Sequence, residues 1–220
     1  KLVGTKIYLD IASVGATINI IMAAVYAQGE TTIENAAREP EIIDCITLLN
    51  EMGADIRGGG TSKITINGVE KLSGCFHEII PDRIEAGTYL ILAAAMAKQV
   101  TIENVIPYHL ESLISKLIEM GVEIDSQIDK IVVRKSDNCL KKVDIKTMPY
   151  PGFATDLQAP LTALLTQAVG NSSVTETIYK ERFKHCQQLN KMGANIIITP
   201  PSAIVVGPTS LSGTDVWATD

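Results

Sequence analysis

The sequence predicts a layered α/β fold built from one β-α-β-α-β-β unit used repeatedly. Three observations predict it. Thr32-Ile33-Glu34-Asn35 returns as Thr101-Ile102-Glu103-Asn104 and, less closely, as Val174-Thr175-Glu176-Thr177. Each copy leads into an apolar-striped stretch that closes on the same pair: Met52-Gly53, Met120-Gly121 and Met192-Gly193. Both sets recur at intervals of roughly 70 residues, a phase that independent drift would not keep.

Each unit opens on a helix that is apolar nearly all round, at 16–27, 86–97 and 157–169. Such a helix is expected to be buried on every side. A short strand follows at 30–34, 100–104 and 173–177. The second helix is amphipathic, with Ile42, Ile43, Ile46, Leu49 and Met52 on one stripe. Leu110, Leu113, Ile114, Leu117 and Met120 repeat that stripe, and Phe183, Cys186, Leu189 and Met192 do so less fully. Gly53, Gly121 and Gly193 are expected to stop these helices as left-handed C-caps. Two strands close each unit, at 54–56 with 63–67, 122–124 with 130–134, and 195–199 with 203–206. The alternation in Lys63-Ile64-Thr65-Ile66-Asn67 is that of a half-buried strand. Leu72-Ser73-Gly74 and Leu211-Ser212-Gly213 read as matching end turns. One unit cannot bury its first helix alone, so several must pack together.

At 220 residues the chain has room for one large or two small cores. A net charge of −6 argues against a nucleic-acid binder relying on a basic face. The longest apolar run, near 90–97, falls well short of the roughly 20 residues that span a bilayer, so no membrane partner is expected. Cys45, Cys75, Cys139 and Cys186 form no C-x-x-C pair and have no zinc spacing with His77, His109 or His185. Four small, mostly buried thiols in a reducing cytoplasm are expected, without a metal.

Asp10, Asp82, Asp156 and Asp220 hold the same phase at the heads of the apolar helices. Asp is a strong N-cap, since its carboxylate accepts from free backbone N–H groups. Capping is the expectation for Asp10 and Asp82. Asp156 follows an irregular approach, Pro149-Tyr150-Pro151-Gly152-Phe153-Ala154-Thr155, whose prolines and glycine fix it as a candidate ligand position. In Ala12-Ser13-Val14-Gly15-Ala16-Thr17 a hydroxyl and a glycine precede a helix and leave N–H groups for an anion. Glu39-Pro40-Glu41 reads as a well-built helix start. Arg38 is expected to pair with nearby acids, whereas Arg182 reads equally as an anion ligand or an ion-pair partner.

These strings, with Glu34 to Glu41, Pro81-Asp82-Arg83-Ile84-Glu85-Ala86-Gly87-Thr88 and Ala218-Thr219-Asp220, resemble the enolpyruvyl transferases from end to end. The likeness is to the branch that acts on UDP-N-acetylglucosamine. Ala154, Leu157 and Pro160 depart from its commonest form and look like the second paralogue of low-GC Gram-positive bacteria. The resemblance implies an inside-out α/β barrel of repeated βαβαββ units, incomplete in this chain. It implies a longer protein of two domains closing over substrate. Residues 1–79 are then one unit of the domain that carries a catalytic cysteine loop, and 80–220 are two units of the other.

The implied reaction moves the enolpyruvyl group of phosphoenolpyruvate to the sugar's 3-hydroxyl through a tetrahedral ketal. The resemblance makes Asp156 the catalytic proton acceptor. It assigns substrate binding to Ser13, Val14 and Gly15, to Ile178 through its backbone, and to Arg182 and Asp220. Lys180 and Glu181 stand where the family has Glu and Asn, which puts any contact there in doubt. The family's phosphoenolpyruvate-binding lysine and arginines, and its cysteine on a mobile loop, have no match here. The 220 residues alone are therefore expected to lack turnover. The implied partners are UDP-N-acetylglucosamine and phosphoenolpyruvate, with no cofactor, no nucleic acid and no membrane. A cytoplasmic protein, monomeric at full length, is expected. The rival readings are the sister synthase of 5-enolpyruvylshikimate 3-phosphate, which lacks the strings around Arg38 and Phe153, and a non-catalytic repeat scaffold.

Overall fold

The computed structural model describes residues 1–134 and 139–218. The chain divides into two compact units: Lys1–Ile80 with Pro149–Pro151, and Pro81–Met148 with Gly152–Asp220.

The first unit runs β1 (Lys6–Tyr8), α1 (Val14–Ala24), β2 (Glu30–Glu34), α2 (Pro40–Glu51), β3 (Asp55–Arg57) and β4 (Lys63–Asn67). Its sheet has the order β1-β2-β4-β3. β1 and β2 are parallel, which requires the α1 crossover, while β2–β4 and β3–β4 are antiparallel. Alternation in β4 sends Ile64 and Ile66 inward, where they meet Ile21, Ile33, Ile42, Ile46 and Ile56 in one core.

The second unit begins with α3 (Arg83–Met96), β5 (Gln99–Glu103), α4 (Glu111–Glu119), β6 (Glu123–Ser126) and β7 (Lys130–Arg134). It continues with β8 (Ile145–Lys146), α5 (Gln158–Leu165), β9 (Gly170–Thr175), α6 (Lys184–Lys191), β10 (Asn195–Thr199) and β11 (Ser202–Gly207). The sheet order β10-β11-β9-β8 reproduces that of the first unit, with β8 parallel to β9. The order β5-β7-β6 lacks an entering strand among the described residues. Leu90, Leu113, Leu117, Ile131, Leu161, Leu165 and Val174 belong to one continuous core.

The repeated sequence has a repeated physical cause. Gly53, Gly121 and Gly193 take φ of 104°, 93° and 104°, the left-handed turn that ends α2, α4 and α6. A residue with a Cβ would be strained at each. Asn50 brackets Ile56, donating to its carbonyl and accepting from its N–H, both at 2.9 Å. Asn190 does the same to Ile196 at 2.8 and 2.9 Å. Ser73 N–H reaches the Met52 carbonyl at 2.8 Å, and Ser212 N–H the Met192 carbonyl at 2.7 Å, so the end turns strap the helix ends.

Several expectations are corrected. Asp82 caps α3, accepting from the N–H groups of Ile84 and Glu85. Asp10 caps nothing in α1; Ser13 does, accepting from Ala16 N–H at 3.2 Å. Of the opening helices, α1 and α3 are not buried all round: Met22 on α1 and Leu92 and Met96 on α3 are exposed, whereas α5 has no exposed residue. α1 also stops at Ala24, and Gly29 at φ 83° leads the chain into β2.

The third copy is out of register with its sequence alignment. Ile7 pairs with Ile33 and Tyr8 with Glu34, whereas Ile145 pairs with Val174 and Lys146 with Thr175. Leu9 N–H donates to the Glu34 carbonyl at 3.0 Å, and Thr147 N–H to the Thr175 carbonyl at 2.9 Å. Thr175 therefore takes the place of Glu34, and Glu176 takes the place of Asn35. A slip of one residue turns a side chain to the opposite face. Glu34 faces Lys6 at 2.8 Å and is partly exposed, while Glu176 is fully buried.

Candidate functional site

The approach to Asp156 is built by closing a loop. Met148 N–H donates to the Phe153 carbonyl at 3.0 Å, bringing 148 and 153 together across Pro149-Tyr150-Pro151-Gly152. Phe153 is buried, and Ser112 Oγ donates to the Gly152 carbonyl at 3.3 Å. A single 3-10 turn, Thr155–Leu157, then precedes α5. Leu157 is buried in the core, and between these anchors the Asp156 side chain is 52% exposed.

Asp156 accepts no bond from a helix N-terminus. Its Oδ1 accepts instead from Arg182 Nη1 at 2.9 Å. The same Nη1 donates to Thr155 Oγ1 at 3.3 Å, and the guanidinium lies over the Tyr179 ring, 5.6 Å from its centroid. Tyr179 carbonyl accepts from Arg182 N–H at 2.8 Å, which folds the segment after β9 back on itself. Ile178 sits at the start of that turn, and its N–H donates to Glu176 Oε1 at 2.8 Å. A cavity of about 610 Å³ is lined by Asp156, Tyr179, Lys180, Glu181, Arg182 and Lys184. Lys180, Arg182 and Lys184 outnumber Asp156 and Glu181, so the lining favours an anion.

Ser13, Val14 and Gly15 lie in the other unit, at the N-terminus of α1. Ser13 Oγ is taken up by capping Ala16 N–H. The N–H groups of Val14 and Gly15 belong to the first turn, where no intrahelical carbonyl reaches them. Gly15 is exposed, and a Cβ there would meet open space. Asp220 lies outside the described residues. Asp156, Ile178 and Arg182 are thus brought together in one unit, and Ser13, Val14 and Gly15 in the other.

Thr147, Thr155 and Glu176 escaped the sequence reading because their neighbours come from three separate strand and loop ends. Cys186 Sγ does approach His185 Nε2, at 3.3 Å. Burial pushes that thiol up to about 12, so it stays protonated and packs rather than reacts. No group of metal-holding side chains occurs among the described residues. No helix among them is long and apolar enough to cross a membrane.

A family model described as EPSP synthase (3-phosphoshikimate 1-carboxyvinyltransferase) matches residues 1–220. The UDP-N-acetylglucosamine 1-carboxyvinyltransferase 2 of Bacillus subtilis (strain 168) is 59% identical over 220 residues, covering 100% of this chain and 51% of that protein. The protein of the same name from Listeria monocytogenes serotype 4b (strain F2365) is 60% identical, covering 100% of this chain and 52% of its own length. The chain spans about half the length of the curated relatives it matches. Among solved structures, the enolpyruvyl transferase NikO from Streptomyces tendae superimposes with a TM-score of 0.80 at 25% identity, covering 90% of this chain and 47% of that one. The inside-out α/β architecture of repeated βαβαββ units is therefore shared. Matched along its whole length, the chain belongs to the EPSP synthase (3-phosphoshikimate 1-carboxyvinyltransferase) family, the enolpyruvyl transferases.

Proposed function

We propose that this chain carries the acceptor-hydroxyl side of an enolpyruvyl transfer from phosphoenolpyruvate to UDP-N-acetylglucosamine, the first committed step of peptidoglycan synthesis. The observation that carries the reading is Asp156. It is a carboxylate fixed between two buried anchors, committed to no helix cap and open to a cation-rich cavity. Among the described residues its Oδ2 has no hydrogen-bond donor, so that oxygen is available to a substrate hydroxyl.

In this reading Asp156 takes the proton of the sugar 3-hydroxyl as that oxygen bonds to C2 of phosphoenolpyruvate and C3 gains a proton. The tetrahedral ketal then loses a C3 proton and expels phosphate, which restores the double bond. A carboxylate within hydrogen-bond reach of the hydroxyl is what general base catalysis requires. Ile178 offers its backbone to the sugar, and Arg182 orients Asp156 while favouring the anionic substrates. Ser13, Val14 and Gly15 hold the nucleotide end with the free N–H groups of α1. Asp220 adds a further contact. Residues 1–79 belong to the domain with the catalytic cysteine loop and 80–220 to the second domain. The protein works in the cytoplasm as a monomer, without a cofactor.

Phosphate release by the full-length gene product tests this. Turnover is expected with UDP-N-acetylglucosamine and not with shikimate 3-phosphate. Asp156→Asn, which keeps shape and removes the base, is expected to lower kcat about 10²- to 10⁴-fold. An Asp156→Asn variant as fast as the parent, or turnover on the shikimate acceptor, overturns the reading.

A further inference from the structure

Glu176 is fully buried just beyond the end of β9. Its Oε1 accepts from Thr147 Oγ1 at 2.6 Å, Ile178 N–H at 2.8 Å and Tyr179 N–H at 3.0 Å. Its Oε2 accepts from Thr155 Oγ1 at 2.8 Å. The direction of both hydroxyl bonds is fixed by what feeds them. Thr147 Oγ1 accepts from Thr177 N–H at 2.8 Å, and Thr155 Oγ1 accepts from Arg182 Nη1 at 3.3 Å. One carboxylate thus ties together the end of β8, the turn that carries Asp156 and the backbone at 178–179. Through Thr155 it also shares Arg182 with Asp156.

Burying a carboxylate is costly unless every oxygen is bonded, so its use here calls for a reason. The repeats supply a comparison. In the first unit the residue next after the matching strand position is Asn35, left-handed at φ 56°, whose Nδ2 donates to the Leu9 carbonyl at 2.8 Å; in the third copy Thr177 Oγ1 makes the corresponding bond to the Thr147 carbonyl. Asn104 follows β5 in the same left-handed conformation as Asn35, with φ of 51° against 56°. The one-residue slip brings a carboxylate inward in the copy whose opening turn bears Asp156.

We propose that Glu176 is a positioning residue for the enolpyruvyl transfer, fixing the Asp156 carboxylate against the Ile178 backbone that faces the sugar. It acts through Thr155, Arg182 and the 178–179 amides, and touches no reacting atom. The inference rests on the reading of Asp156 as proton acceptor. A displacement of about 1 Å in a reacting constellation is enough to lower turnover about 10²-fold.

The test uses the full-length gene product, with kcat and both KM values measured on Glu176→Gln, Thr155→Val, Thr155→Ser and Asp156→Asn. The Gln amide turns an N–H toward groups that are themselves donors. The Val keeps the shape of Thr155 and removes its hydroxyl, while the Ser retains it. Glu176→Gln and Thr155→Val are each expected to lower kcat about ten- to a hundredfold and raise KM for UDP-N-acetylglucosamine, with KM for phosphoenolpyruvate unmoved. Thr155→Ser is expected to stay within about threefold of the parent. Mere loss of folded protein lowers apparent kcat and leaves both KM values alone, and that pattern overturns the proposal. Should Glu176→Gln fail to fold, the contrast between Thr155→Val and Thr155→Ser decides: equal activities overturn it. A parent-like Glu176→Gln beside an inactive Asp156→Asn overturns the positioning role alone. An active Asp156→Asn overturns the reading beneath it.

Discussion

His77 shows how much of a residue's behaviour is set by what folds around it. In the sequence it is a lone histidine without ligand spacing. In the structure its Nδ1 meets Glu51 Oε2 at 2.9 Å and its Nε2 meets Asp44 Oδ1 at 3.1 Å, with its side chain 9% exposed. The bond to Glu51, supported by Asp44, raises its pKa above the ordinary 6.5 against the opposing effect of burial. A raised folded pKa means the imidazolium adds stability in full below about 6.5, and that contribution fades as pH rises through the raised value. Asp55 is shifted the other way, lowered first by its bond to Asn67, so its contribution is lost only in acid. The two windows do not overlap. Thermal midpoints of the parent and His77→Gln between pH 5.5 and 8.5 should converge as pH rises, the parent losing an advantage it holds at pH 5.5. A constant gap across that range would contradict this account. The same contrast separates legible from illegible residues at the site. Asp156 could be singled out because prolines and a glycine mark its approach. Glu176 could not, because its worth comes from Thr147 and Thr155, distant in the chain, which close on it together with the nearby amides of Ile178 and Tyr179.

At the scale of elements, the ends of helices were more legible than their faces. Met-Gly marks the close of α2, α4 and α6 because glycine alone turns left-handed there without strain. The faces of α1 and α3 were misread, since an apolar stripe does not reveal which neighbours are present to cover it. The slip in β9 was hidden by a shared glutamate, since the sequence repeat matches Glu176 to Glu34 and the strand pairing does not. A second hidden device is the asparagine bracket made from the last turn of α2 and of α6. Asn190 satisfies both the N–H and the carbonyl of Ile196 at the head of β10, the outer strand of its sheet. Asn190→Ala should cost about 1–2 kcal/mol, measured by denaturant unfolding, because the half-buried partners regain some water. Asn190→Asp should cost more, since it sets an oxygen against the Ile196 carbonyl and a negative charge at the C-terminal end of α6. An Asp variant more stable than the Ala variant would show that the bracket is not what holds β10 to the helix.

For the whole molecule, the repeat predicts shared architecture but not shared stability. The buried residues fall into two clusters with no member in common, one within Lys1–Ile80 and one within the second unit. The first draws on the two helices and one four-stranded sheet of a single repeat. The second joins α3, α4, α5 and α6 with two sheets. Stability per unit rises with the fraction of surface that can be buried, and that fraction grows with size. The first unit should therefore open at lower free energy than the second. Native-state hydrogen exchange on the 220-residue chain should place the amides of Ile33, Ile64 and Ile66 in a weaker group than those of Ile131, Val174 and Val205, all of them buried strand residues. Ile64→Ala should lower the first group, and Leu161→Ala the second, each by about 2–5 kcal/mol. Each should leave the other group within about 0.5 kcal/mol, as expected for substitutions in separate cores. A single group that moves as one under either substitution would show one cooperative body in place of two.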